Sequence, residues 1–339
     1  MTTPAKLNGP IIHNYSHYHQ QLISLSSVVN DTVTMKLNNC TYKAMFITLR
    51  LLMQTQLIGV AMIKTALVVE GGGMRSVFTA GVLDTFLEHG YDPFDLFIGS
   101  SAGSLNLSAF ISGQKKYSVR LVNHLAKSRT FVNWIRFLKG GNAMELAELH
   151  DILALHDPID LTRAKQRLNS RPFFITCCDK LSGQANYLVA EPSRWFRQIV
   201  ASCALPIVFR AGVKLDDNVH MDGGLVDPIP VQKAVALGAT HIIVIRTRTK
   251  HWVEKLTFLE RILTIWVRHD TVLTKLLDNY SKKYNATCEF MRNPPEGINI
   301  IEIAPDEELK TPTLTRQVTT LNKDYSAGIK AAELFLQQK

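Results

Sequence analysis

Among the hydroxyls of this chain, Ser101 has the setting of a nucleophile: it stands between Gly99 and Gly103, with Ser100 and Ala102 in the intervening places. A strand that turns sharply into a helix needs small neighbours at the turn, and that turn leaves the hydroxyl standing at the sheet edge. Ser100 is the rival hydroxyl, but no pair of glycines flanks it in this way. The backbone N–H after Ser101, on Ala102, faces a helix N-terminus, where developing negative charge is favoured. A Gly-x-Ser-x-Gly string is common by chance, so its weight depends on the rest of the chain.

A hydroxyl is a weak nucleophile until a base takes its proton. Asp222, followed by Gly223 and Gly224, comes after a short apolar strand. It can serve as that base if burial lifts its carboxyl from the ordinary value of about 4 towards neutrality. An Asp-Gly pair is also a common β-turn, and that plainer reading stays open. Ordinary hydrolase triads run serine, acid, histidine, and His241, His251 and His269 all follow Asp222. His241 begins a strand, while the other two fall in or beside a basic helical region. His220 shares a strand face with Asp222 and reads as a packing or hydrogen-bonding group.

The third piece is Gly71, Gly72, Gly73, Met74 and Arg75, which close an apolar strand. In a parallel sheet that loop lies at the same carboxyl edge as Ser101, where several N–H groups can converge on one oxygen. As a phosphate loop it lacks the Gly-Lys-Ser/Thr spacing, and as a dinucleotide loop it has Ser76 where a glycine is needed. A tight turn without chemistry is the remaining alternative.

These pieces need elements to position them. The apolar run 65–70 reads as a buried strand, and Val77, Val82, Leu83, Phe86 and Leu87 mark a helix closed by Gly90. Residues 95–99 and 101–112 repeat the strand and helix, the signature of a parallel sheet wrapped by helices. The stretch 116–170 reads as a helical excursion, broken at Gly140 and Gly141. Strands are expected at 173–178 and 185–189, and a helix over 193–203 that stops before Pro206. A hairpin of 213–215 and 219–221 delivers Asp222. A helix from Pro230, strands at 241–246 and 298–303, and a helix from about 319 complete the pattern.

The chain has 339 residues, 46% hydrophobic and 20% charged, an ordered globular composition. Its formal charge of +9 favours an anionic partner, either a phospholipid surface or nucleic acid. No nucleic-acid motif accompanies the basic runs at 115–116, 246–250 and 282–283, so no nucleic-acid partner is expected, while peripheral contact with an anionic membrane stays open. Cys40, Cys177, Cys178, Cys203 and Cys288 are odd in number and lack metal-ligand spacing. They read as free thiols in a reducing compartment. The first forty residues are polar and histidine-rich, unlike a secretory leader, and a cytoplasmic location is expected. The apolar stretch 44–62 is interrupted by Arg50, Gln54 and Gln56 and suits an interfacial or docking helix better than a membrane span.

The expected organisation is an N-terminal extension of uncertain order over 1–62 and one hydrolase domain over 63–339. Within it, 246–339 is a helical C-terminal part with the least clear pattern. Over 252–277, Leu256, Leu259, Leu263, Trp266 and Val267 alternate with Lys255, Arg261, Arg268 and Lys275. Such a basic amphipathic helix could pack on the core or lie on anionic lipid. Trp134, Ile135, Phe137 and Leu138 form a second candidate lip.

Together these segments resemble the patatin-like phospholipase family, most closely its bacterial YjjU-type branch. The likeness rests on Gly71, Gly72 and Gly73 with Arg75, on Gly99, Ser101 and Gly103, and on Asp222, Gly223 and Gly224. The small-residue segment 201–206 and the run Asp227, Pro228, Ile229, Pro230 add to it. It covers 63–245 in detail and 246–339 loosely, and departs at Ser76, where many relatives carry glycine. The resemblance implies a three-layer α/β/α fold with a mainly parallel sheet and a Ser101–Asp222 dyad without histidine. It further implies oxyanion donors from Gly71, Gly72, Gly73, Met74 and Arg75, and elbow and base-loop support from Gly99, Ala102, Gly103, Gly223 and Gly224. Arg75 reads equally as a charge near the oxyanion or as a structural ion-pair partner. The implied reaction is hydrolysis of lipid acyl esters with neither metal nor cofactor. A general carboxylesterase or thioesterase on soluble acyl compounds, and a catalytically idle lipid-binding protein, are the alternatives.

Overall fold

An apolar strand can be buried on both faces, and TALVV does this as β1 (Thr65–Val69), in the interior of a sheet. The computed structural model of the chain describes residues 65–339 apart from 134, 137, 138, 140, 207 and 256–266. The chain divides into two units, Met1–Ala61 and Met62–Lys339, and all that follows concerns the second.

After β1 come α1 (Val77–Glu88), β2 (Leu96–Ser100), α2 (Ala102–Ser112), α3 (Tyr117–Lys127), α4 (Leu146–Asp151) and α5 (Leu161–Leu168). Then follow β3 (Phe173–Asp179), β4 (Ala185–Val189), α6 (Trp195–Ser202), β5 (Val213–Leu215), β6 (Asn218–Asp222) and α7 (Val231–Ala236). The rest is β7 (His241–Ile245), α8 (Thr271–Arg292), β8 (Asn299–Ile303) and α9 (Val318–Gln337). The sheet order is β5-β6-β3-β2-β1-β7-β8, with β4 on the free edge of β3. Strands β3, β2, β1, β7 and β8 are mutually parallel.

Alternate side chains of β1 enter different cores. Leu67 and Val69 join Val77, Phe78, Leu105 and Leu321, while Ala66 and Val68 join Val231, Ala234 and Tyr284. Helices therefore cover both faces, giving the expected three-layer α/β/α fold around a mainly parallel sheet.

One register decides where the functional residues meet. Strand β2 pairs with β3 as far as Ser100 opposite Thr176, then turns away. Strand β6 arrives from the opposite direction and pairs Asp222 with Cys177, Met221 with Cys178 and His220 with Asp179. Because β4 occupies the other edge of β3 over 174–178, β2 and β6 share one edge and meet end to end. Two consecutive residues of β3 thus hold the ends of the strands that carry Ser101 and Asp222.

The single basic helix expected over 252–277 is corrected at its described residues. Residues 252–255 are not helical, 267–269 form a turn, and α8 begins at Thr271, where the Asp270 side chain caps it by accepting the Leu273 N–H at 2.9 Å. Leu256, Leu259, Arg261, Leu263 and Trp266 lie outside the described residues, as do the stretch 44–62, Cys40, Trp134, Phe137 and Leu138. Ile135 is exposed, and Cys177, Cys178, Cys203 and Cys288 are buried free thiols. Among the described residues, no helix is long and apolar enough to cross a membrane.

Candidate active site

The chain reverses between β2 and α2 at Ser101, whose φ of 53° and ψ of −131° lie in a region that non-glycine residues rarely adopt. Such a conformation costs of order 1–3 kcal/mol and persists only where its surroundings impose it. Here the surroundings are specific. The Ser101 N–H donates to Ser202 Oγ at 2.9 Å, and the Ser202 hydroxyl donates to the Thr176 carbonyl at 2.6 Å, so Ser202 straps the turn to β3. Gly103 starts α2 hard against the end of β1, since a Cβ there would stand 2.5 Å from the Val69 carbonyl oxygen.

Ser101 Oγ donates to Asp222 Oδ2 at 2.7 Å, and both residues are buried. Asp222 Oδ1 accepts the Gly224 N–H at 2.7 Å, and the Asp222 N–H donates to the Ala204 carbonyl at 2.9 Å. Gly223 sits in the junction of the strands, where a Cβ would lie 2.1 Å from the Thr176 oxygen and 3.0 Å from Ser100 Oγ. Burial raises the Asp222 carboxyl from 3.8 to about 6, and the hydrogen bonds from Ser101 and Gly224 limit the rise. The group is therefore an anion at neutral pH with more basicity than an exposed aspartate.

No histidine joins this pair among the described hydrogen bonds. Buried His220 places Nε2 3.1 Å from Asn186 Nδ2, and desolvation lowers its pKa. His241, His251 and His269 are exposed. Cys203, in contrast, lines the same cavity as Ser101, and burial pushes its thiol well above the usual thiol range.

The glycine loop offers fewer free backbone donors than its sequence suggests. The N–H groups of Gly71, Met74 and Arg75 are occupied by the carbonyls of Pro228 at 3.3 Å, Thr313 at 2.9 Å and Gly72 at 3.2 Å. The backbone donors expected from all five residues therefore reduce to Gly72 and Gly73, joined by Ala102 in the first turn of α2, where helix N–H groups have no helical partner. Arg75 has no carboxylate within ion-pair distance among the described residues. Its Nη1 donates to Thr313 Oγ1 at 2.7 Å, and burial, then the charge of Arg248, lower its pKa. This disfavours the ion-pair role and leaves Arg75 a cation beside the loop.

Two cavities meet at Ser101. One, of about 230 Å³, is lined by Arg75, Arg248, Glu70, Glu254, Tyr280 and Asp222 among others. The second is a slot of about 60 Å³ with apolar walls that include Leu105, Val122, Leu125, Phe131, Met144 and Leu314. Ser101 thus opens on a polar side and an oily side.

Ser101, Asp222 and the glycine loop, which the structure brings together, stand out in the sequence, whereas Ser202, Thr176 and Thr313 do not. The run of small residues at 201–206 is the one signal in the sequence that points towards Ser202. Thr313 has no local signature at all, because its role comes from where 313 lands.

A family model described as patatin-like phospholipase matches residues 67–235, and one described as a Domain of unknown function (DUF6363) matches 272–338. The chain is 34% identical over 282 residues to the uncharacterized protein YjjU of Escherichia coli (strain K12), covering 80% of this chain and 77% of that protein. Among solved structures, VipD from Legionella pneumophila is 12% identical with a TM-score of 0.37, covering 80% of this chain and 67% of that one.

Proposed function

Because this chain belongs to the patatin-like phospholipase family, we propose that it is a serine acyl hydrolase of lipid esters, of phospholipase A or lysophospholipase type, working through Ser101 and Asp222. The observation that carries this reading is the 2.7 Å contact from Ser101 Oγ to a buried carboxylate whose pKa stands at about 6.

Ser101 Oγ attacks the acyl carbonyl carbon while its proton passes to Asp222 Oδ2. The carbonyl oxygen becomes an oxyanion and is met by the N–H groups of Gly72, Gly73 and Ala102, with the positive charge of Arg75 nearby. Collapse breaks the bond between the carbonyl carbon and the leaving oxygen, which takes the proton from Asp222. The acyl group then remains on Ser101 as an ester. Water gives a proton to Asp222 and attacks that ester, and Ser101 regains its proton as the fatty acid leaves. No metal or cofactor enters any step. The apolar walls of the slot against Ser101 support an ester with an apolar acyl group over a charged or polar one. In this reading 63–339 is one acyl hydrolase domain, 1–62 an extension to it, and its setting cytoplasmic, with peripheral contact on an anionic membrane.

The base must be ionised, so kcat/KM should rise about tenfold per pH unit below pH 6 and level off above it. A pH–rate profile on a neutral ester reads this directly, and a flat profile from pH 4.5 to 7 rejects Asp222 as the base.

Substrate class is tested by comparing phospholipid vesicles with a soluble short-chain ester at equal acyl concentration, with released fatty acid followed by mass spectrometry. Faster release from vesicles is expected. Turnover confined to the soluble ester would favour the general esterase or thioesterase, and no turnover with no organophosphonate labelling of Ser101 would favour the idle lipid-binding protein.

A further inference from the structure

The region 272–338, which a family model described as a domain of unknown function matches, reaches the glycine loop at several points. Thr313 touches it twice by hydrogen bond: its carbonyl accepts the Met74 N–H at 2.9 Å, and its Oγ1 accepts from Arg75 Nη1 at 2.7 Å. Gly73, at φ 56°, packs so closely on it that a Cβ there would meet the Thr313 carbonyl oxygen at 2.5 Å. Two residues on, the Thr315 N–H points at Met74 Sδ from 3.2 Å.

The same region also holds the residue that precedes the loop. Tyr284 of α8 donates its hydroxyl to Glu70 Oε1 at 2.7 Å, while Glu70 Oε2 accepts the Thr247 N–H at 2.6 Å. Leu314 adds a wall to the apolar slot, and Thr313 and Tyr280 line the polar cavity. Both ends of the glycine loop, and both sides of the bound ester, are thus shaped from beyond the part of the chain that the hydrolase family model matches.

A loop with three glycines has many backbone states available. Backbone donors stabilise an oxyanion only if they are aimed before the reaction, since reorienting them during it forfeits most of the gain. Thr313 removes this freedom by two means. It occupies the Met74 N–H, so the loop cannot turn that donor inward, and it ties the Arg75 side chain to a fixed point.

We propose that Thr313 is the positioning residue of the oxyanion site, and that 272–338 is a clamp that fixes the Gly72 and Gly73 donors and the Arg75 charge. The inference rests on the acyl hydrolase reading above. Thr313 itself need not touch the ester.

The test compares Thr313→Val, Thr313→Ser and the wild type in the full chain. Thr313 is only half-buried, so valine is accommodated, and it keeps the backbone carbonyl while deleting Oγ1. Thr313→Val should lower kcat on a short-chain ester by about 10- to 100-fold with KM changed less than about threefold, the size expected for a misplaced catalytic group. Thr313→Ser, which keeps the acceptor, should recover most of it. Rates are taken per site titrated with an organophosphonate, so a simple loss of folded protein does not count. Hydrogen exchange over 70–76 should be faster in Thr313→Val than in wild type or Thr313→Ser.

Thr313→Val with wild-type kcat per titrated site, or equal losses in the valine and serine variants, overturns the proposal while leaving the hydrolase reading intact. If the wild type cleaves no acyl ester, that reading fails instead, and the exchange comparison alone decides whether Thr313 holds the loop: unchanged exchange in Thr313→Val rejects the clamp.

Discussion

Ser101→Ala should fold normally and hydrolyse acyl esters at least about 10⁴-fold more slowly than the wild type, since it lacks the attacking oxygen. No neighbouring group replaces it. Ser100 Oγ is buried with no hydrogen-bond partner and lies at the Gly223 side of the junction. The Cys203 thiol is held protonated by burial, so it offers little thiolate at neutral pH. Stability at neutral pH should fall by roughly 1–3 kcal/mol, since a hydrogen bond to a buried carboxylate is lost, while the unusual backbone at 101 stays imposed by Ser202 and Gly103. Circular dichroism and thermal melting check the fold, and product release from vesicles checks the rate. Retention of more than about one-hundredth of the wild-type kcat would remove Ser101 from the reaction.

Asp222→Asn should produce a loss of similar size, about 10⁴-fold, because an amide of the same shape cannot accept the Ser101 proton. Its effect on stability should have the opposite sign from the usual cost of a buried substitution. The native Asp222 carboxyl titrates at about 6 against 3.8 for the unperturbed group, so between those values the native state binds the proton more tightly than the unfolded chain. The stability contributed by the protonated group is fully present below about pH 4 and lost as pH rises through 6. Above that the wild type carries the cost of a buried anion, an order-of-magnitude estimate of roughly 3 kcal/mol. Asparagine carries no charge. At pH 8 Asp222→Asn should therefore melt at or above the wild-type temperature, and the difference should shrink towards pH 4. A variant that melts well below wild type at pH 8 would identify Asp222 as a structural anchor and remove the physical reason for its basicity.

The two results belong together. Activity should rise with pH through the range in which Asp222 withdraws its stabilisation, because in the proposed mechanism the same ionisation creates the base and leaves a charge inside the protein. Buried sites often hold a catalytic group at some cost to folding in this way.

Much of the arrangement was legible locally. Apolar runs marked β1, β2 and β7 within a residue or two, because a strand buried on both faces has few polar positions to blur it. Ser101 and Asp222 announced themselves through their small neighbours, which the turn at 101 and the packed junction at 223 require. The expected single helix over 252–277 fails at its described ends, because the periodicity carries no sign of the irregular stretch at 252–255 or of the turn at 267–269. The capping Asp270 marks the true start of α8 and could have been read as such.

What the sequence determined by itself was the chemistry: a hydroxyl at a sharp turn, a carboxylate with room to be buried, and a glycine loop rich in donors. The tertiary structure decided which of those donors remain free, that Asp222 lies in contact with Ser101, and that Thr313 secures the loop. The reason is the range of the forces involved. Turn sterics and apolar periodicity act between neighbours in the chain. The register of β2 and β6 on β3, like the carbonyl that Thr313 gives to Met74, joins residues that only the completed packing brings together.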